Sequence, residues 1–206
     1  MKHTLSQTKE HEALPDWPFS MLVFERSDTS KTNIFANLVL KDKSEHIYKR
    51  QKREFRYIRY NDLIVYGYHS DKPKWAFVKY IYGIIAKDPK ALYYKNIQFS
   101  YISPERIPNV KLFSSKRSTI IIFKDLCVIL KYIQNQIIPF FTHERHRNIL
   151  PIYITQRYYK IPIIIYENIS YLVIFNGGSS YQDVFRIVSR YTDDIKNASM
   201  VINSYL

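Results

Sequence analysis

The segment that most limits the fold of this chain is a run of four large apolar residues, Ile-Ile-Ile-Phe, at positions 120–123. A strand with one face in water alternates apolar and polar residues, whereas a strand covered on both faces is apolar throughout. Doubly covered strands are typical of parallel sheets that carry helices on each side. The sequence therefore predicts a strand at residues 119–123 in the middle of a parallel sheet.

Similar strand-like segments alternate with helix-like segments along most of the chain. Strands are predicted at residues 19–24, 97–102, 119–123, 151–155 and 171–175, with one strand or a hairpin within 55–68. Helices are predicted at residues 32–40, 75–85, 129–141, from about 180, and 193–203. The alternation predicts an α/β fold with a mainly parallel sheet and helices on both faces. The length of 206 residues fits one domain, predicted at residues 17–206 after a flexible tail of residues 1–16.

The scarcity of cysteine and of long apolar segments excludes several classes of protein. A single cysteine, Cys127, cannot form an intramolecular disulfide or a Cys-rich zinc site, and it favours a reducing compartment. Residues 1–16 lack the apolar segment of a secretory signal, and no uninterrupted apolar stretch approaches about 18 residues. We therefore expect an intracellular protein without a membrane span.

The net charge of +13 at pH 7 favours association with a polyanion such as nucleic acid or an anionic membrane face. Residues 41–60 contain eight lysines and arginines. The aromatic residues interleaved with them are Tyr48, Phe55, Tyr57 and Tyr60. Cations combined with aromatic rings suit single-stranded nucleic acid, but a strand edge protected by charge has the same composition. Both interpretations of this segment stay open.

The loop after the first predicted strand reads ERSDTSKT over residues 25–32. It follows the phosphate-loop pattern G-x-x-x-x-G-K-[ST] at Lys31 and Thr32, with Glu25 and Ser30 in the places of both glycines. In such loops the lysine neutralises the terminal phosphates and the hydroxyl binds Mg²⁺. The residues that would line the phosphates are Ser27, Asp28, Thr29, Ser30, Lys31 and Thr32. An ordinary helix start after a turn is the alternative interpretation.

Two other features of the sequence concern this motif: the small number of glycines and the residues that follow the strand predicted at 119–123. The chain has only four glycines, and none of them lies in the loop; they are Gly67, Gly83, Gly177 and Gly178. A nucleotide hydrolase of this class also needs a strand that ends in a magnesium-binding carboxylate, often with a second acid that orients the attacking water. Here Lys124 stands in the first position and Asp125 in the second.

With these residues the chain resembles the FtsK–HerA superfamily of P-loop ATPases, and within it the DNA-packaging ATPases of poxviruses and related elements. The segments that carry the resemblance are FSMLVFERSDTSKTN, STIIIFKDL, FFTHERHRNILPIYITQRYYKIP and SYLVIFNGGSS. The resemblance implies a RecA/FtsK-like P-loop NTPase fold, ATP and Mg²⁺ as ligands, DNA as partner and assembly into a ring. It extends from about residue 19 to the end of the sequence.

The same resemblance implies a role for individual residues. Lys31 matches the phosphate position, Thr32 matches the metal position, and Asp125 matches the acid that polarises water. Asp125 could instead rotate to serve the metal. Gln156 matches the polar sensor after the fourth strand of the family, and Arg145 or Arg147 are candidates for an arginine finger that reaches a neighbouring subunit's nucleotide.

The departures at Glu25, Ser30 and Lys124 concern positions that the chemistry uses directly. We therefore predict an ATPase-like protein with weak or lost hydrolysis, in effect a pseudo-ATPase that binds DNA. The alternative is a basic nucleic-acid-binding or interaction protein that keeps the fold and binds no nucleotide.

Overall fold

The computed structural model describes residues 18–24, 39–40, 60–91, 93–126, 131–142, 147–175 and 181–205. The strands are β1 (Met21–Phe24), β2 (Asp62–Tyr66), β3 (Gln98–Ile102), β4 (Thr119–Lys124), β5 (Ile149–Thr155) and β6 (Tyr171–Ile174). They form one sheet in the order β3-β2-β4-β5-β1-β6, and every neighbouring pair is parallel. The predicted parallel α/β fold is confirmed.

Helices connect the strands and cover both faces of the sheet. The α-helices are α1 (Pro73–Ile85), α2 (Lys131–Thr142), α3 (Ile163–Tyr166), α4 (Tyr181–Val188) and α5 (Ile195–Tyr205). Short 3₁₀ turns lie at Pro104–Arg106, Val110–Leu112 and Tyr158–Lys160. Across the described ranges, no helix has the length and apolar character needed to cross a membrane.

The core consists of two apolar layers, one on each face of the sheet. In β2, Leu63 and Val65 contribute to the layer under α1, while Tyr66 contributes to the layer under α2. Every residue of β4 and of β5 is buried, because these strands have neighbours on both sides and helices on both faces. Burial of one large apolar side chain stabilises the fold by about 1.5–3 kcal/mol, so the central strands contribute most.

Helix α1 bears out the helical periodicity that the sequence predicts for residues 75–85. Five residues at helical spacing are buried: Trp75, Val78, Ile81, Tyr82 and Ile85. The helix begins two residues earlier than predicted, at Pro73, which suits the first turn of a helix because the N–H there has no intrahelical acceptor.

Strand β5 begins two residues earlier than the sequence predicts. The predicted start is Pro151, and proline lacks the N–H that a central strand donates. The strand begins at Ile149, and Pro151 lies inside it, in register with Ile121 of β4. The apolar neighbours on both faces therefore outweigh one missing ladder hydrogen bond. Within the segment predicted as a strand or hairpin, β2 covers only Asp62–Tyr66, and residues 55–59 lie outside the described residues.

The first strand lies between two strands that come much later in the sequence. β1 pairs with β5 on one side and with β6 on the other. Ser20, just before β1, is fully buried, and its hydroxyl donates to the carbonyl oxygen of Asn168 at 2.7 Å. The backbone N–H groups of Ser170 and Tyr171 both donate to the Ser20 carbonyl at 3.0 Å. These contacts fix the register of β1 with the start of β6.

Candidate functional site

The carboxyl ends of β1, β5 and β4 lie side by side at one edge of the sheet. Phe24, the last residue of β1, is in register with Thr155 of β5, and Lys124 of β4 is in register with Ile154. Neighbouring strands are about 4.8 Å apart, so the ends of β1 and β4 are about 10 Å apart with β5 between them. Parallel α/β proteins bind their ligands at this edge.

Strand β5 ends in a turn that presents Gln156 at this edge. The side chain of Thr155 is fully buried, and its hydroxyl oxygen accepts a hydrogen bond from the backbone N–H of Arg157 at 2.9 Å. This bond closes a tight turn around Gln156, whose own side chain is exposed. Gln156 is therefore held next to Phe24, where the chain leaves β1 for residues 25–32.

A cavity of about 370 Å³ opens beside this turn. Its lining comes from the end of β1, the residues after β5 and one face of α4: Phe24, Gln156, Arg157, Tyr158, Tyr159, Asp183 and Arg186. Asp183 and Arg186 are three residues apart on α4 and so lie on the same face of the helix. The volume is within the usual range of small-molecule sites. Two guanidinium groups and one carboxylate make the cavity polar and, in sum, positively charged.

Tyr158, one of the lining residues, packs against two other aromatic rings. The ring of Tyr158 meets Phe24 edge-on at 5.9 Å and is tilted over the ring of Tyr166 at 4.6 Å. The guanidinium of Arg190 lies 4.7 Å from the centre of the Tyr166 ring. Burial raises the pKa of the Tyr158 hydroxyl well above its ordinary value, so this residue stays neutral and serves as packing.

The end of β4 carries an ion pair between consecutive residues. The ammonium of Lys124 is 3.4 Å from Oδ2 of Asp125, and the two side chains are 7% and 34% exposed. Asp125 has a positive φ of 55°, a conformation that aspartate tolerates better than most residues. Its backbone N–H donates to the carbonyl of Ile154 at 2.9 Å, so β4 and β5 remain paired up to this turn.

A glycine packs the end of β2 tightly against this pair. Gly67 follows β2, and its N–H donates to the carbonyl of Ile102 at 3.1 Å. A Cβ atom at this position would be 2.6 Å from the Tyr101 hydroxyl oxygen and 3.5 Å from the Cβ of Lys124. The absence of a side chain at Gly67 therefore leaves room for the Tyr101 ring and the stem of Lys124. Burial raises the pKa of Tyr101 to about 12.

The donor set at the end of β4 does not fit a magnesium ion. Mg²⁺ takes oxygen ligands in octahedral geometry, often one or two carboxylates. Asp125 offers a carboxylate, and its Oδ1 is buried without a hydrogen-bond partner among the described residues. The neighbouring group in the expected second carboxylate position is the Lys124 ammonium, which would repel a divalent cation. In the described part of the chain, no three histidine, cysteine, aspartate or glutamate side chains cluster as metal ligands.

The predicted site residues divide between the two edges of the sheet. Asp125 and Gln156 both follow strands at the carboxyl edge. Arg147 precedes β5 at the opposite edge, where its guanidinium donates to the carbonyl oxygens of Lys111 at 2.9 Å and Phe113 at 3.2 Å. Within one chain the structure therefore does not bring Arg147 to the cavity, and its role in a neighbouring subunit stays a prediction. The candidates outside the described residues are Ser27, Asp28, Thr29, Ser30, Lys31, Thr32 and Arg145.

Sequence reasoning missed most of the residues that line the cavity. Arg157 and Tyr159 follow Gln156 directly, but nothing in their spacing marks them as ligands. The Asp183 and Arg186 pair was visible as a three-residue spacing on a predicted helix. The spacing of Ser180 and Asp183 also fits a capping box at the start of this helix, and Ser180 lies outside the described residues. Of the four aromatic residues in the basic segment, Tyr60 is described and is only 3% exposed, so it cannot stack on a base.

The fold and this edge define an α/β protein with a parallel sheet and a polar cavity at the carboxyl ends of its strands. No family model and no curated relative match the chain. A similar solved structure is B204, the DNA-packaging ATPase from Sulfolobus Turreted Icosahedral Virus, with 13% identity, a TM-score of 0.47 and 87% of each chain covered.

Two further solved structures are similar at comparable or lower levels. The genome packaging NTPase B204 from Sulfolobus turreted icosahedral virus 2, in complex with ATP-gammaS, has 15% identity and a TM-score of 0.47 over 89% of this chain and 85% of that chain. A DNA polymerase III gamma subunit-related protein from Thermotoga maritima has 11% identity and a TM-score of 0.37 over 89% and 53%.

Proposed function

We propose that this chain is a P-loop ATPase-like protein that binds an adenine nucleotide and hydrolyses it weakly or not at all. The observation that carries the proposal is the cavity of about 370 Å³ at the carboxyl ends of β1 and β5. It lies beside Phe24, the last residue of β1. The phosphate-loop pattern at residues 25–32 follows Phe24 directly in the sequence.

In this proposal different residues bind different parts of the nucleotide. Lys31 and the backbone N–H groups of residues 27–30 take the phosphates, and Gln156 contacts the terminal phosphate from the end of β5. Arg157 and Arg186 add guanidinium donors, which suit phosphate oxygens. Tyr159 is 67% exposed and offers an aromatic face to the base.

Hydrolysis is impaired because Asp125 cannot perform two roles at once. Its Oδ2 faces the Lys124 ammonium at 3.4 Å, which leaves Oδ1 for either a water molecule or a metal. The Thr32 hydroxyl then lacks a second protein ligand to share a metal with. Glu25 and Ser30 add to the impairment, because a phosphate loop uses glycines to bring its backbone close to the phosphates.

The test measures binding and turnover separately. We expect the purified protein to bind a fluorescent ATP analogue and to release phosphate at a rate close to the background. Replacement of Lys31 by methionine weakens binding at least tenfold, whereas Lys116→Met, an exposed residue at the opposite edge of the sheet, leaves it unchanged. The triple variant Glu25→Gly, Ser30→Gly, Lys124→Asp gains hydrolysis. Rapid turnover by the unmutated chain would contradict the proposal.

DNA binding and ring assembly complete the proposal. The charge of +13 supplies the attraction for phosphates, so the affinity for DNA falls steeply as salt rises. A ring would place Arg145 or Arg147 of one subunit near the nucleotide of the next. Light scattering with and without nucleotide measures the assembly. If DNA binds with a steep salt dependence and no nucleotide binds, the chain is the basic nucleic-acid-binding protein of our alternative prediction.

A further inference from the structure

The edge of the sheet opposite the cavity carries several exposed lysines. The connection from α1 to β3 and the second half of the connection from β3 to β4 both reach this edge. Residues 107–118 in the second connection contain two lysines, one arginine and no acidic residue. None of the exposed lysines has an ion-pair partner among the residues that the structure describes. The surface that we call the lysine edge consists of Lys87, Lys90, Lys111 and Lys116 and the turns around them.

Three of these lysines belong to tight turns that a neighbouring side chain closes. In each turn the backbone N–H of the lysine donates to a side-chain oxygen two residues earlier, which holds the backbone in the turn. The exposed side chains therefore extend from fixed points on the surface. The pairs are Lys90 with Oδ1 of Asp88 at 2.9 Å, Lys111 with Oδ1 of Asn109 at 2.9 Å, and Lys116 with Oγ of Ser114 at 3.2 Å.

Two arginines attach the turns of the second connection to the sheet. Arg117 donates to the two carboxylate oxygens of Asp62, the first residue of β2, from Nε at 2.8 Å and from Nη2 at 2.7 Å. Arg147, which precedes β5, donates to the carbonyl oxygen of Lys111 at 2.9 Å. Because Arg117 already neutralises Asp62, this carboxylate does not offset the charge of the lysines.

The chemistry of the lysine edge suits the backbone of double-stranded DNA, which carries about one negative charge per 1.7 Å of its axis. Asparagine and serine side chains are exposed between the lysines, and such groups also contact phosphate oxygens. The described residues of this surface include no exposed aromatic ring on which an unpaired base could stack. They expose one large apolar side chain, Leu112, and a membrane-binding surface needs a larger apolar face.

We propose that the lysine edge binds the phosphate backbone of double-stranded DNA, on the opposite side of the sheet from the nucleotide cavity. This inference rests on the DNA binding in the proposed function and adds the surface that performs it. A lysine ammonium binds phosphate as a point charge, and contacts to phosphate carry no sequence information. DNA of any sequence therefore binds at the amino ends of β2 and β4, while the nucleotide binds at the carboxyl ends of β1 and β5.

The experiment measures the fluorescence anisotropy of a labelled short DNA duplex over a series of salt concentrations. The test variant combines Lys90→Gln, Lys111→Gln and Lys116→Gln. Each phosphate contact contributes about 0.9 to the slope of log affinity against log salt, so we expect this slope to become shallower by about 2–3. At about 100 mM salt the affinity should fall at least tenfold. Two duplexes of different sequence should give the same result.

A matched control removes the same charge from another surface. It combines Lys72→Gln, Lys74→Gln and Lys79→Gln, three exposed positions just before α1 or on it. Both triple variants lower the net charge from +13 to +10, so a general attraction between protein and DNA would weaken equally in the two. Contacts at the lysine edge weaken binding only in the test variant. Circular dichroism establishes that both variants are folded, and their affinity for the ATP analogue should equal that of the unmutated chain.

The outcomes separate this inference from the proposed function. Equal losses in the two variants, or no loss in the test variant, overturn the inference and leave DNA binding to another surface such as residues 41–60. Tighter binding of a single strand than of the duplex also overturns it. So does a test variant that no longer binds phosphatidylserine vesicles but still binds DNA. If the unmutated chain binds no DNA, the DNA binding in the proposed function and this inference both fail.

Discussion

At the scale of single residues, the two described glycines differ: Gly67 has a steric reason to lack a side chain, and Gly83 has none. Gly67 is at the crowded end of β2, where a Cβ would be 2.6 Å from the Tyr101 hydroxyl oxygen. Gly83 is exposed in α1, and a Cβ there would have nothing within 4 Å. The scarcity of glycine in the composition therefore does not mean that each remaining glycine is required.

The two positions respond oppositely to alanine. Gly67→Ala forces the Tyr101 ring or the backbone to move and destabilises the protein by about 1–3 kcal/mol. Gly83→Ala stabilises it by about 0.5–1 kcal/mol, because alanine has less conformational freedom to lose in a helix. Urea unfolding midpoints measure both changes.

The control for the crowded position removes the atom that causes the clash. Tyr101→Phe alone has a small effect, because the hydroxyl has no hydrogen-bond partner among the described residues. Combined with Gly67→Ala, it restores part of the lost stability. Equal stability of Gly67→Ala and the unmutated protein would show that the packing at this position is looser than the structure indicates.

The candidate site was predictable from the sequence only where a residue directly follows a strand. Asp125 and Gln156 could be placed at one edge because each comes right after an apolar segment of a parallel sheet. Asp183 and Arg186 could not, since they reach the cavity through the packing of α4, which depends on contacts distant in the sequence. The ion pair of Lys124 with Asp125 was also missed, because adjacent residues in a strand point to opposite faces. Asp125 does not follow this alternation, because its backbone has a positive φ.

At the scale of elements, periodicity predicted which helices and strands are present better than it predicted where each one begins and ends. α1 and β4 were located almost completely, because their burial patterns repeat without interruption. β5 is two residues longer than predicted, because the packing on both faces keeps Ile149 and Leu150 in the strand ahead of Pro151. The attachment of the connection before β5 to the rest of the fold through Arg147 could not be inferred from charge alone.

Arg147 is expected to stabilise the connection between two elements. Its guanidinium holds the carbonyl oxygens of Lys111 and Phe113, at and just after the turn Val110–Leu112, against the start of β5. Arg147→Ala lowers the stability by about 1–2 kcal/mol, because hydrogen bonds from charged donors are stronger than neutral ones. Arg106→Ala, at an exposed position without such bonds to the described residues, is the matched control in the same urea assay. If Arg147→Ala leaves stability unchanged but abolishes the hydrolysis that the triple variant Glu25→Gly, Ser30→Gly, Lys124→Asp gains, Arg147 acts as an arginine finger and does not stabilise the connection.

At the scale of the whole molecule, tyrosines with buried hydroxyls make the stability of the fold decrease at high pH. Burial raises the pKa of Tyr66 and of Tyr101 from the ordinary 10.0 to about 12. The neutral phenol is therefore favoured in the folded state. The resulting stabilisation is complete below pH 10 and is lost as the pH rises from 10 towards 12.

The predicted outcome is cooperative unfolding in this alkaline range. The tyrosinate absorbance of the exposed tyrosines should rise near their ordinary pKa. The tyrosinate absorbance of Tyr66 and Tyr101 should rise only together with the loss of far-ultraviolet circular dichroism. Tyr66→Phe and Tyr101→Phe each move the unfolding to higher pH. Complete tyrosine ionisation before any loss of secondary structure would contradict the assignment of these hydroxyls as buried.

The position of β1 between β5 and β6 has a consequence for how the chain is made. During synthesis the apolar residues Met21–Phe24 leave the ribosome long before their pairing partners, which lie 131 residues later in β5 and 150 residues later in β6. At about 5–20 residues per second, this interval is roughly 7–30 s. During that time β1, which has a strand on each side in the folded protein, has no neighbour. The yield of this protein therefore depends on what shields β1 until β6 emerges.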